Sequence, residues 1–131
     1  MQEWDHITDM LVVGSGGGLV GALRASALGM DVVVAEKSDM IGGSTGMSGG
    51  VIWLPDNEIM ARAGVADSHE DAVAYFDSVA GKAADCSPAS STARREAYLT
   101  SGNDMLRFLE GEGVELGRAG WEPYQVKVQS A

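Results

Sequence analysis

The chain has 131 residues, enough for one domain with a core of its own. Hydrophobic residues make up 45% and charged residues 21%, the balance of a globular, soluble protein. A net charge of −10 argues against a nucleic-acid or anionic-membrane partner, and no apolar run approaches the ~20 residues of a membrane span. The one cysteine, Cys86, cannot form an internal disulfide, and no cluster has the spacing of a zinc site, so no metal is expected. The opening Met1-Gln2-Glu3-Trp4-Asp5 is acidic and lacks a signal-peptide core, and Arg94-Arg95 is internal, so a reducing cytoplasm is the expected compartment.

Thr8 to Val13 is short, apolar and ends in β-branched residues, which predicts a strand buried on both faces. Gly14 to Gly18 breaks it. Leu19 to Leu28 predicts a helix with small residues facing inward, and Gly29 is its C′ stop. Asp31 to Ala35 predicts a second buried strand, closed by Glu36. Strand, turn, helix and strand in about 30 residues make a βαβ unit, with parallel strands and a right-handed crossover. A polar, glycine-rich loop follows from Lys37 to Gly50. Val51 to Leu54 is apolar and Pro55 stops it.

Further on, Asp56 is placed to cap a short helix through Arg62. Ser68-His69-Glu70-Asp71 has the form of a capping box and opens a helix to about Lys82, with Ala72, Val73, Phe76 and Val79 on its apolar face. Thr92 to about Glu112 predicts a long helix with Tyr98, Leu99, Met105, Leu106 and Leu109 apolar. Gly102 inside it costs about 1 kcal/mol relative to Ala and marks a potential break. Tyr124, Val126 and Val128 alternate as in a strand. Strands buried on both faces need neighbours and covering helices, and residues 1–55 cannot supply them, so a larger fold is implied.

The chemistry concentrates in the glycines. Gly14-Ser15-Gly16-Gly17-Gly18 sits between a strand and a helix, where a dinucleotide fingerprint belongs. Glycine lets the backbone approach a pyrophosphate, and the helix-start amides with the helix dipole favour its charge. Two readings of the spacing stand. One takes Gly16, Gly18 and Gly21 as GxGxxG; the other, preferred because Gly14 directly follows the strand, has a loop one residue short with Gly18 in the third role. Glu36 ends the second strand about 20 residues on, where an acid accepts hydrogen bonds from ribose hydroxyls and repels a 2′-phosphate. NADP is thereby disfavoured, while FAD and NAD fit alike.

The segment after Glu36 separates them. Glu36-Lys37, Gly42 to Thr45, Ser48 to Gly50, and Trp53 to Asn57 read EK, GGST, SGG and W-x-P-x-N. In these motifs the chain resembles the fumarate reductase/succinate dehydrogenase flavoprotein superfamily, and within it the 3-ketosteroid dehydrogenases. The likeness runs more loosely to about Tyr124 and covers only the opening portion of the family's chain. It implies an α/β fold: a Rossmann-like βαβ FAD-binding unit with its flavin-contact loop over residues 1–55, then a helical extension with an irregular tail over 56–131, together an incomplete N-terminal portion of a larger domain.

By that resemblance Gly43, Ser44 and Thr45 line the pyrophosphate and the flavin side, and Ser48, Gly49 and Gly50 approach the isoalloxazine through backbone amides. Gly14 to Gly18, Glu36, Lys37 and Gly42 complete the expected cofactor residues. Superfamily members that bind flavin covalently carry a histidine where this chain has Ser44-Thr45-Gly46, so the FAD is expected to be non-covalent. The family transfers a hydride from a carbon next to a ketone to the flavin, with tyrosines assisting, and implies a small-molecule substrate such as a steroid. Here the only candidate tyrosine is Tyr124, in Gly120-Trp121-Glu122-Pro123-Tyr124, which departs from the family pattern and favours a packing aromatic. The alternatives are a truncated, inactive FAD-binding fragment and an NAD-binding module. His6 and His69 read as solvated or capping residues, Cys86 lacks a nearby base, and Asp67, Glu70, Asp71 and Asp77 read as a solvated helix face.

Overall fold

The computed structural model describes residues 4–85 and 87–118. Cys86, Tyr124 and the alternating tail lie outside the described residues. The chain divides into two compact units, Met1–Val51 and Ile52–Ala131.

The first unit is the βαβ element. Strand β1 (Met10–Val13) and strand β2 (Val32–Ala35) are parallel, with Met10 opposite Val32 and Val13 opposite Ala35. Helix α1 (Gly18–Ala27) packs on both strands. Side chains alternate across a strand, so Met10 and Val12 share one face while Leu11 and Val13 share the other. The helix covers the Val12 face with Ala22 and Ala25, all three buried. Leu11 and Val13 are 58% and 82% exposed. Among the described residues one helix covers one face of a two-stranded sheet and the other face is exposed, the shortfall of cover that the sequence implies for strands of this kind.

Local chemistry sets the ends. Gly29, at φ 83°, ends α1 by donating to Ser26 O at 2.8 Å, and Met30 N–H donates to Ala25 O at 3.2 Å. These are the paired bonds of a Schellman motif. Gly14 N–H donates to Ala35 O at 2.8 Å, so the ladder continues to the edge of the glycine loop. Beyond β2, Gly43–Gly46 forms a single helical turn, α2.

The second unit is helical. Helix α3 spans Glu58–Arg62, α4 spans His69–Ala80 and α5 spans Thr92–Gly111, with two short 3₁₀ turns between α4 and α5. The cap of α3 is Asn57 and not Asp56: Asn57 Oδ1 accepts from Met60 N–H at 2.9 Å, and its amide donates to Leu54 O at 2.6 Å. Asp56 instead takes a left-handed conformation, φ 52°, held through Asp67 and Asn103. The Ser68 cap is as expected, its Oγ accepting from Asp71 N–H at 3.1 Å. Val79 of α4, expected on the apolar face, is exposed.

Helix α5 runs unbroken through Gly102. Its buried stripe is Arg95, Leu99, Gly102, Leu106 and Leu109, a helical spacing. Leu54 inserts over Gly102: a Cβ there would lie 2.4 Å from Leu54 Cδ1. The glycine that sequence reading marks as a weak point is the seat of a buried leucine. Arg95 is a second surprise. Its guanidinium, 7% exposed, pairs with Asp77 Oδ1 at 2.7 Å and donates to Gly81 O and Ser90, tying the end of α4 to the start of α5. Asp77 thus has a partner on a neighbouring helix and is not merely a solvated acid. Trp53 stacks on Tyr98 at 6.3 Å and meets Phe76 edge-on at 5.7 Å, and the Tyr98 hydroxyl donates to Trp53 O. Burial raises the Tyr98 pKa from its ordinary value. Trp53 to Asn57, a motif read from the sequence, therefore packs and caps this unit.

Candidate cofactor site in the βαβ unit

The site begins with the tight packing of α1 on β1. A Cβ on Gly18 would lie 2.5 Å from Val12 Cγ1, whereas one on Gly21 would meet only Met10 Cε at 3.8 Å. Gly18 is therefore the glycine of close helix–strand approach, in keeping with the shorter of the two loop readings. With the helix start drawn onto the strand, the preceding amides are left without protein partners. Among the described residues none accepts a hydrogen bond from the N–H of Gly16, Gly17 or Gly18. They lie at the positive end of a 10-residue helix.

The second glycine segment comes up against the first. A Cβ on Gly16 would be 3.5 Å from Gly42 O and from Thr45 Oγ1, and one on Gly43 would be 3.6 Å from Gly16 Cα. Gly42 turns the chain here at φ 115°. The N–H groups of Gly43, Ser44 and Thr45 also lack acceptors among the described residues. Residues far apart in sequence thus bring two runs of unpaired amides side by side, a natural complement to a phosphate chain.

One buried hydroxyl links the parts. Ser15 is 1% exposed. Its hydroxyl donates to Glu36 Oε2 at 2.6 Å and accepts from Gly42 N–H at 2.8 Å, while Ser15 N–H donates to the same Glu36 oxygen at 2.9 Å. Ser38 N–H donates to Glu36 Oε1 at 3.0 Å. The Ser15 hydroxyl, with the amides of Ser15, Ser38 and Lys37, holds the Glu36 carboxyl at a pKa of about 2, well below the usual carboxylate value. Glu36 is thus ionised and fixed in place, with both Ser15 donors on Oε2 and Ser38 N–H on Oε1.

Other expected residues are placed differently. The Ser48 and Gly50 amides turn into their own loop, onto Thr45 O at 3.1 Å and Ser48 Oγ at 3.1 Å. Gly49 and Lys37 are exposed. Sequence reading missed the Ser15 junction, for which the only signal was a hydroxyl inside a glycine run. Among the described residues no group of acids, histidines or cysteines could hold a metal ion, and no helix is long and apolar enough to cross a membrane.

The profile of the FAD binding domain family matches residues 9–129. The chain belongs to that family. Membership in the FAD binding domain family makes FAD the cofactor. Over 111 residues the chain is 40% identical to the 3-oxosteroid 1-dehydrogenase of Rhodococcus opacus, covering 84% of this chain and 20% of that protein. Its structure is similar to that of 3-ketosteroid delta1-dehydrogenase from Sterolibacterium denitrificans, with a TM-score of 0.63 and 36% identity over 79% of this chain and 17% of that one. It also resembles 3-ketosteroid-delta4-(5alpha)-dehydrogenase from Rhodococcus jostii RHA1, with a TM-score of 0.68 and 28% identity over 92% of this chain and 25% of that one. The chain spans about a fifth of the length of the curated relatives it matches.

Proposed function

We propose that this FAD binding domain serves a cytoplasmic oxidoreductase that takes a hydride from a carbon next to a ketone on a steroid-like small molecule, with the FAD held non-covalently. The observation that supports it most is the junction at Ser15, which places an ionised Glu36 beside two runs of unpaired amides. When bound, FAD supplies the hydride acceptor at N5; the protein's part is to bind and orient it. The Gly16 to Gly18 and Gly43 to Thr45 amides hold the pyrophosphate, and Glu36 accepts from a ribose hydroxyl and repels a 2′-phosphate. Gly14, Lys37, Ser48, Gly49 and Gly50 flank these amides along the chain, and the Gly14, Ser48 and Gly50 amides already have protein acceptors. Ser44-Thr45-Gly46 offers no histidine for a covalent flavin link. The acidic surface suits a small-molecule partner over nucleic acid, and the single cysteine suits a reducing compartment.

The test is the visible absorption spectrum of the purified chain before and after addition of FAD. A flavin spectrum that survives desalting, and a flavin released into the supernatant by acid precipitation, is the expected result. No retained flavin refutes binding by this chain, and flavin that stays with the precipitate refutes the non-covalent assignment. The chain alone is expected not to oxidise a 3-ketosteroid with a dye as acceptor, because it spans so small a share of its relatives.

A further inference from the structure

Ser15 has work that a loop residue in contact with cofactor does not need. It is buried to 1%, and its hydroxyl both donates and accepts inside the protein, donating to Glu36 Oε2 at 2.6 Å and accepting from the Gly42 amide at 2.8 Å. These partners are far from each other in sequence and lie in different parts of the expected cofactor path, one at the ribose end and the other at the head of the second glycine segment. We propose that Ser15 is a positioning residue: its hydroxyl sets Glu36 and the 42–45 segment in one register, so that the two amide runs act as a single cradle.

The geometry makes the two halves of this link unequal. Glu36 keeps two backbone donors without the hydroxyl, Ser15 N–H at 2.9 Å and Ser38 N–H at 3.0 Å. Gly42 N–H has no other acceptor among the described residues. Removing the hydroxyl therefore leaves the acid largely held and frees the second glycine segment. A ligand that uses only α1 and Glu36 should notice little, whereas one that also needs residues 43–45 should notice much. General destabilisation would instead weaken both ligands by the same factor, through the folded fraction.

This inference rests on the FAD reading, and its test separates the two. Amide hydrogen exchange is followed in the unliganded full chain and in Ser15→Ala, with AMP and FAD affinities measured by calorimetry on both; AMP carries the ribose and one phosphate but not the full pyrophosphate that spans both amide runs. In Ser15→Ala the Gly42 amide is expected to exchange about tenfold faster, with Val12 and Val34 amides unchanged, and FAD affinity to fall about tenfold more than AMP affinity. Unchanged Gly42 exchange, or equal losses for AMP and FAD, overturns the positioning role. Wild-type chain that binds neither ligand overturns the FAD reading; the exchange result then decides the Ser15 link by itself, a selective Gly42 loss supporting it and unchanged exchange overturning it. Ser15→Thr keeps a hydroxyl, and restored Gly42 protection in it supports the assignment.

Discussion

The two units are held together by different means. In the βαβ unit the buried side chains are small, Val12, Ala22, Ala25 and Ser15, and the organising contacts are backbone ladder bonds and a polar junction. In the helical unit a leucine stripe, Leu54, Leu99, Leu106 and Leu109, meets across packed helices, with Arg95 paired beside it. Small residues and glycine bring backbone close to backbone, which suits a site made of amides. Long apolar side chains fill volume, which suits a scaffold. The contrast teaches that the unit proposed to hold FAD has the least conventional core, with apolar Leu11 and Val13 exposed.

That contrast can be broken most severely in the helical unit. Leu106→Ala deletes a side chain only 4% exposed and is expected to cost about 2–5 kcal/mol of stability, read as a lowered denaturant midpoint. FAD affinity of the protein that remains folded should change little. Next comes Gly18→Ala. Its Cβ would meet Val12 Cγ1 at 2.5 Å, and valine has one stiff rotamer to yield, so the helix start must lift from the strand. About 1–3 kcal/mol of overpacking is expected, together with weakened FAD binding in a calorimetric titration. Gly21→Ala, with space around it, should leave both nearly unchanged, and equal effects at the two positions would count against Gly18 as the closely packed glycine.

Gly102→Ala sharpens the comparison further. A free helix would gain about 1 kcal/mol from this change. Here the new Cβ meets Leu54 Cδ1 at 2.4 Å, and overpacking is expected to reverse the sign, leaving the variant about 1 kcal/mol less stable in urea unfolding. A stabilised variant would show that Leu54 moves aside freely. The smallest expected effect is with acid. Glu36 has a pKa of about 2 in the folded chain against an ordinary 4.5, so its contribution to stability is fully present above pH 4.5 and is lost as the pH falls toward 2. Exchange protection of the Gly42 and Ser15 amides should decline over that window. Glu36→Gln should flatten the decline, and an unaltered profile in that variant would assign it to other carboxylates.

Much of the fold could be read in advance because its rules are local. The Gly29 stop, the Ser68 cap and the strand–glycine–helix–strand order all depend on a few neighbouring residues. The same local rules misplace one cap. Asp56 and Asn57 are both good capping residues, and the choice fell to Asn57 because Asp56 is held in a left-handed turn by Asp67 and Asn103. In the site, the glycine loop and Glu36 were legible as types at a spacing. Which oxygen would hold Glu36, and what would meet Gly42, were not.

Sequence by itself determined the βαβ pattern and the acid at the end of β2, since these follow from periodicity, turn chemistry and short spacings; the flavoprotein motifs were legible in it as a resemblance to a known family. Tertiary structure alone decided that Ser15 joins Glu36 to Gly42, that Gly102 seats Leu54, and that Arg95 is buried against Asp77. Each of those is a contact between segments distant along the chain. A hydroxyl, a glycine or an arginine has the same local chemistry wherever it stands, and only the packing around it selects which partner completes its hydrogen bonds or fills the space beside it.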